Sequence, residues 1–467
     1  MWNWTWTPAV HQHANDHTRP STTITNLNIR VMKRKLSSPD VDIDSIVGRR
    51  RDSPFHGKSD EECNNDPSHK IHKEPEASSS QKIQLPVEPG NCTNLLDKLD
   101  FTGLDTLDDI SARFDEIGRL LLSDYELVIS SEIGVEDVAY QILELEFYLL
   151  QHGIHEDPFT HGTVEQSQSG KWYFHRAPRR GDHGTPTATG GYRGGTRKGM
   201  DLTIGGPLVP HLSRPTTTTS RFFRNDTNKS SSSSTSQSSS TTSNIRTTRG
   251  GALLRTIRRV SDSKIISGPS LLVDEVLKAS SASSIIDLVE TKWTGDTSGF
   301  LPSQAATTSE SITRLMRMFL RPRSVCEHET VIYKSPRIGL DLSHSSISFD
   351  IEKALMHPRT IFVSKPYRYF THPHLLTANG RGQTFLGVYQ TLKKSADYCE
   401  DSHDIGLCDE LVKRTGLKEG TVKKYLADYK TGLVKGNLKR FIGSNGKGAS
   451  ASASSFLELM GALHTIQ

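Results

Sequence analysis

The chain has 467 residues, of which 34% are hydrophobic and 24% are charged. Its 57 lysines and arginines against 53 acids give a net charge of +4, a mild excess that does not by itself indicate a nucleic-acid-binding protein. Five cysteines at no metal-ligand or redox spacing indicate inert, reduced thiols, and no apolar run approaches the ~18 residues of a membrane-spanning helix.

Two long segments have the composition of disordered chain. Residues 1–95 are rich in Ser, Pro, Asn, His and charge, and residues 206–249 include a Ser/Thr tract. Such segments bury too little apolar surface to offset their ordering entropy. We therefore expect a disordered arm and a flexible insertion within a folded domain of residues 96–390. The arm's basic clusters "VMKRKL" and "VGRRR" can act as nuclear import signals, although solvated charge is the commoner meaning of such runs.

The first predicted element is an amphipathic helix over Asp108–Ile129. Its apolar residues, among them Ile110, Phe114 and Ile117, recur at intervals of three and four. The acids of this segment lie early, where the helix dipole favours negative charge.

The stretch "QILELEFYLL", Gln141–Leu150, places two carboxylates in an apolar run. In a strand, Glu144, Glu146 and Tyr148 share one face and the leucines share the other. A helix over Val135–Gln151 is the competing interpretation, and the local pattern alone gives the two roughly even odds.

Several later segments bounded by Gly and Pro are typical of short strands, and one is typical of a helix. The strand candidates are Gly170–Arg176 "GKWYFHR", Gly199–Gly205 "GMDLTIG", Gly251–Ile257 "GALLRTI" and Ile332–Leu340 "IYKSPRIGL". The helix candidate is Leu271–Lys278 with Ser270 as its cap. Strands outnumber helices in irregular order, which predicts an α+β fold with a curved, mostly antiparallel sheet and flanking helices.

The region 391–440 is predicted to be helical, and 441–467 is treated as a tail. Cys408–Lys430 has the pattern of two helices with Gly416 at the bend. A helix-turn-helix that grips DNA is one interpretation. An ordinary helical hairpin that caps the domain is the favoured one.

Eight short motifs follow one another in a recognisable order. They are "ELEFYL", "DPFTH", "GKWYFHR", "GMDLTIG", "GALLRTI", "SGPSLLV", "SPRIG" and "KPYRYF". This order resembles the methylpurine DNA glycosylase family, the alkyladenine glycosylases that excise alkylated purines, and the resemblance spans about residues 120–376. It implies a compact mixed domain built on an antiparallel sheet, and it favours a strand for "QILELEFYLL".

The resemblance also implies roles for individual residues. Glu146 stands where the family has the carboxylate that activates water, and Tyr148 stands where a tyrosine stacks on the flipped base. His161 and His175 are then expected around the base, and Arg255 beside the carboxylate. Such chemistry requires a base rotated out of the helix and a carboxylate beside the cationic sugar, and it requires no metal and no cofactor.

The chain departs from the family's pattern at two aromatic positions. His175 replaces a second stacking tyrosine, and Lys198 stands where the family has the tyrosine that fills the gap left by the flipped nucleotide. A lysine contacts phosphate but does not wedge into a base stack. The basic segment Arg176–Lys198 supplies Arg193, Arg197 and Lys198 as expected DNA contacts, unless it is simply a solvated loop.

Other interpretations remain open for the same residues. From spacing alone, Glu146 is better explained as a structural ion-pair partner of Arg255 or Arg337, and the motif order reverses that preference. Tyr148, Trp172 and Tyr173 are expected to include at least one core aromatic. The loop histidines lack matching carboxylates or thiols, so no metal site is predicted.

The sequence therefore predicts a nuclear, monomeric enzyme of DNA base excision repair that hydrolyses the N-glycosidic bond of damaged purines in duplex or single-stranded DNA. A non-catalytic nucleic-acid-binding protein that keeps the glycosylase fold is the alternative. A scaffolding protein that works through its Ser-rich segments is a third interpretation. No membrane association is expected.

Overall fold

The computed structural model describes residues 95–130, 136–177, 191–206, 248–301, 316–323, 330–376, 378–394 and 404–466. The predicted arm and insertion lie almost wholly outside these residues. All described residues fall within one compact unit, Pro86–Gln467.

The described strands form one large sheet. They are β1 Tyr125–Ser130, β2 Val138–Gln151, β3 His155–Glu156, β4 Trp172–Phe174, β5 Met200–Ile204, β6 Thr248–Arg259, β7 Ile265–Ser267, β8 Arg317–Pro322, β9 Tyr333–Ser335 and β10 Arg368–Phe370. The main order is β4-β5-β6-β2-β1-β8, and β10 joins β2 to β9. Every strand pair is antiparallel, which confirms the predicted α+β class and its antiparallel sheet.

Nine α-helices flank the described part of the sheet. They are α1 Leu95–Lys98, α2 Leu107–Arg119, α3 Pro269–Ala279, α4 Ile351–Leu355, α5 Pro358–Val363, α6 Arg381–Lys394, α7 Asp404–Thr415, α8 Glu419–Lys435 and α9 Ala453–Ile466.

The long strand β2 divides its residues between two environments, as its alternating sequence predicts. Leu145, Phe147 and Leu149 lie in the main hydrophobic core. The α2 helix covers this face, and the rings of Phe114 and Phe147 stack with centroids 4.5 Å apart. The carboxylates of β2 occupy the alternate positions and therefore face away from this core.

Two helix predictions were wrong at their ends. The predicted helix over Asp108–Ile129 ends in a π-helical turn at Asp124, and the chain continues as β1. Pairing of β1 with both β2 and β8 outweighs the local helical pattern. Ser270 is not the cap of α3, because Gly268 holds that position and the Ser270 hydroxyl donates to the carbonyl of Gly195.

The C-terminal helices share a hydrophobic core with β9 and β10. Phe370 and Tyr333 pack there with residues of α6, α7, α8 and α9. The boundary placed between residues 390 and 391 falls inside α6. The segment 441–467, treated above as a tail, contains the largely buried α9.

A glycine pair sets the close approach of α8 and α9. A Cβ added to Gly432 would clash with the backbone carbonyl of Glu458, and one added to Gly461 would clash with that of Tyr429. We expect Gly432→Ala to lower the free energy of unfolding by about 1–3 kcal/mol through overpacking. Gly420→Ala on the same helix is the control, since a Cβ there meets nothing within 4 Å. Urea denaturation of both variants checks this, and equal stability would contradict close α8–α9 packing.

Candidate active site

A row of side chains crosses five strands on the face opposite the main core. The strand register pairs Arg368 of β10 with Glu146 of β2, and Glu146 in turn with Leu253 of β6. Leu253 is paired with Asp201 of β5, and Asp201 is paired with Tyr173 of β4. Residues paired in this way project to the same face of a sheet. Adjacent strands lie about 4.8 Å apart, so the backbones of Glu146 and Asp201 are roughly 10 Å apart. Leu253 lies between them.

A bulge beside the carboxylates aims Arg255 at both of them. The β2–β6 register shifts on either side of Glu144, which leaves Arg255 out of the regular pairing. Its Nε donates to Glu144 at 3.2 Å and its Nη1 donates to Glu146 at 3.1 Å. Bulges commonly re-aim a side chain in this way next to active sites.

Glu146 is fully buried and is held by three donors. The hydroxyl of Tyr148 donates to Oε2 at 2.8 Å, and Arg255 donates to the same oxygen. The backbone N–H of Ile338 donates to Oε1 at 2.7 Å. Both carboxylate oxygens therefore have fixed positions.

Tyr148 is half-buried and is oriented from two sides. Besides the Glu146 bond, its ring lies against the guanidinium of Arg337, with 4.4 Å between the guanidinium carbon and the ring centroid. Burial and the charge of Glu146 hold the pKa of Tyr148 well above its ordinary value. The phenol is therefore protonated at neutral pH and acts as a donor.

Glu144 belongs to a structural ion-pair network. Arg368 donates to Glu144 at 2.7 Å, and its other nitrogens donate to the hydroxyls of Ser335 and Thr384. The Thr256 hydroxyl donates to the second Glu144 oxygen at 2.5 Å. Burial alone would raise the pKa of Glu144, but the charges of Arg368 and Arg255 outweigh it and hold the pKa below the ordinary value.

A second buried ion pair anchors the loop that carries His161. Arg337 binds both oxygens of Asp157, at 2.5 and 3.2 Å, and also donates to the carbonyl of Phe147. Farther along the loop, Arg249 donates to the carbonyl of Gly162 at 2.7 Å. The loop is thereby fixed at both ends beside β2 and β6.

The two histidines predicted around the base lie together. The rings of His161 and His175 meet edge to face with centroids 4.6 Å apart. Nε2 of His175 lies 2.9 Å from Oδ1 of the buried Asp201, whose Oδ2 accepts from Gln166 at 3.3 Å. His161 is exposed to solvent, but desolvation by the atoms packed near its ring, together with His175 and Arg193, lowers its pKa to about 4. The ring is therefore neutral at pH 7.

The three predicted DNA contacts occupy different environments. Arg193 is half-buried, and its Nε donates to the carbonyl of Arg176 at 2.7 Å. Lys198 forms an ion pair with Asp274 in the middle of α3. Arg197 is exposed between them.

The structure brings together five of the predicted site residues and adds others. Glu146, Tyr148 and Arg255 form one group, and His161 and His175 form another. Asp157, Arg368, Asp201 and the Ile338 N–H had no predicted role, and Arg337 was considered only as a partner of Glu146. All five lie inside the quoted motifs "DPFTH", "GMDLTIG", "SPRIG" and "KPYRYF". For the four charged side chains, a charge within an apolar segment was the available signal.

The alternative interpretations of single residues are also resolved in part. Glu146 pairs with Arg255, whereas Arg337 pairs with Asp157. Trp172 is the expected core aromatic, with its indole donating to the carbonyl of Met318.

The described residues contain no group of three His, Cys, Asp or Glu side chains placed to hold a metal ion. Within the same part of the chain, no helix has the length and apolar character needed to cross a membrane.

One similar protein is uncharacterized. It comes from Acanthamoeba polyphaga mimivirus and is 28% identical over 140 residues, which cover 30% of this chain and 47% of the viral protein. The chain thus spans about half the length of that relative. No protein-family model matches the chain. The chemistry of the site therefore carries any assignment of function.

Proposed function

We propose that the chain hydrolyses the N-glycosidic bond of damaged purine nucleotides in DNA, with Glu146 as the general base. The observation that carries this proposal is the oriented, buried Glu146 carboxylate, with Tyr148, Arg255 and the Ile338 N–H as its partners. The order of motifs that resembles the alkyladenine glycosylases supports the same chemistry.

Cleavage of an N-glycosidic bond develops positive charge on the deoxyribose. A buried carboxylate stabilises that charge and accepts a proton from the attacking water. Arg255 pairs with Glu146 at 3.1 Å and holds the carboxylate in place. Because Glu146 is fully buried, the entering nucleotide must displace the Tyr148 hydroxyl from Oε2.

The leaving base would lie over Leu253, between the two groups of polar side chains. Tyr148, backed by the Arg337 guanidinium, presents an aromatic ring on one side. His161 and His175 stand on the other side, about two strand spacings away. The proposed base site is thus the sheet face over Leu253, where a flat bicyclic base rotated out of the helix would lie.

A charged analogue of the sugar tests this function without requiring the right lesion. DNA that carries a pyrrolidine in place of one nucleotide mimics the cationic sugar, and a tetrahydrofuran site is its neutral control. We expect the full chain to bind the pyrrolidine DNA at least ~10²-fold more tightly, because transition-state analogues exploit the interactions that stabilise charge. Equal affinity for the two DNAs would refute a glycosidase site.

A second candidate function is nucleic-acid binding without base excision. The pairing of Lys198 with Asp274 favours it, since no aromatic wedge stands at the position that fills the gap after base flipping. Tight binding that does not distinguish pyrrolidine from tetrahydrofuran DNA is the result expected from this function. A DNA partner, a nuclear location and a monomeric state remain predictions under either proposal.

A further inference from the structure

A histidine backed by a buried carboxylate lies on the same face of the sheet as Glu146, on the far side of the proposed base site. Asp201 is 2% exposed at its side chain and His175 is 13% exposed, so the imidazole, unlike its partner, is open to a ligand. Trp172 and Phe174 point into the core, and the alternation of β4 therefore places His175 on the same face as Asp201 and Glu146.

The surroundings of His175 fix the orientation of its ring. Asp201 binds Nε2 and is itself held by Gln166. His161 provides the closest ring and meets His175 edge to face. The backbone N–H of Arg193 donates to the His175 carbonyl, and Nδ1 of the ring has no hydrogen-bond partner among the described residues.

Close packing around the His175 ring depends on a glycine, Gly199. A Cβ at Gly199 would fall 2.6 Å from Cε1 and Nδ1 of the His175 ring. The ring is therefore held between the Gly199 backbone and His161, with Asp201 fixing its rotation. Such rigidity suits a proton donor, which must lie within hydrogen-bond reach of its acceptor.

We infer that His175, positioned by Asp201, is the general acid that protonates the departing purine. This inference rests on the proposed function. Water adds to C1′ and gives its proton to Glu146 while the C1′–N9 bond breaks. The bonding pair passes into the purine, and the His175 proton moves to a purine ring nitrogen. Glu146 later loses its proton to solvent and His175 regains one.

The charge of the leaving base separates acid catalysis from simple stacking. Hypoxanthine is neutral in DNA and leaves as an anion unless it is protonated. 7-Methylguanine is already cationic in DNA and leaves as a neutral base. A ring that only stacks would support the release of both bases, whereas a proton donor matters only for the first.

The experiment measures single-turnover release of each base from DNA by the full chain and by His175→Gln. We expect the variant to lose about 10²-fold or more with hypoxanthine and to stay within about threefold with 7-methylguanine. Asp201→Asn should shift the two substrates in the same unequal manner. His152→Gln, which replaces an exposed histidine outside the proposed base site, is the matched control and should change neither rate.

The outcomes separate the inference from the function on which it rests. Unequal losses support His175 as the acid, and retained 7-methylguanine release shows at the same time that the variant is folded. Equal losses with both bases overturn the inference and leave the glycosidase function standing. Release of neither base by the parent chain overturns both.

Discussion

Glu146→Gln should lower the single-turnover rate of base release by about 10³-fold while leaving DNA affinity nearly unchanged. Glutamine keeps the size of the side chain, and its amide oxygen can still accept from Ile338. It can neither take a proton from water nor offset positive charge on the sugar. Quenched-flow measurement of free base and fluorescence-anisotropy binding, on the same preparation, give the two quantities.

The control for this variant is Glu156→Gln. Glu156 is exposed at the end of the β2–β3 hairpin and should change neither release nor binding. Comparable rates for Glu146→Gln and the parent chain would remove Glu146 from the chemistry. The carboxylate would then be a structural partner of Arg255, the interpretation that its spacing alone favours.

Arg368→Met should lower the free energy of unfolding by about 3–5 kcal/mol at neutral pH, because it leaves Glu144 buried with one of its two charged partners removed. Arg368 is fully buried and also binds Ser335 and Thr384, so no water can replace it without rearrangement. Urea denaturation measures the change. Arg321→Met is the control, since its pair with Glu126 is partly exposed and should contribute at most about 1 kcal/mol.

The cost of Arg368→Met should shrink in acid. The native pKa of Glu144 is depressed, so its ion pairs stabilise the fold fully above the unfolded pKa of about 4.3 and lose that effect as the pH falls through the native pKa. Parent and variant should therefore differ most near pH 7 and converge below about pH 4. A difference that grows on acidification would contradict the assignment of Arg368 as the main partner of Glu144.

The parts of the fold that local pattern controls were predictable. The alternation in β2 and the Gly-bounded segments of β4, β5 and β6 predict which side chains face the core. Strand pairing in the structure keeps those side chains on the same faces. Tyr125–Ser130 was mistaken for helix because its apolar run suits either structure, and only its neighbours β2 and β8 decide between them. The α9 helix was missed because a Ser- and Gly-rich segment precedes it. Its burial depends on the glycine contacts with α8, which the local sequence does not reveal.

Only the part of the candidate site that lies on β2 was predictable from the sequence. Glu146 and Tyr148 lie two residues apart on one strand, so local spacing places them on the same face. The partners that fix Glu146 come from far along the chain: Arg255 is 109 residues away and Ile338 is 192 residues away. The bulge that gives Arg255 both carboxylates depends on the β2–β6 register, which no short window of sequence contains.

The most direct test of the account is free-base release by the full chain itself. Duplex and single-stranded DNA carrying one 3-methyladenine, ethenoadenine or hypoxanthine would be incubated with excess protein, and the released base would be quantified by mass spectrometry. The account predicts release of at least one free purine that exceeds the uncatalysed rate and requires Glu146. DNA binding without release from any lesion would contradict it, and would leave nucleic-acid binding as the function of this fold.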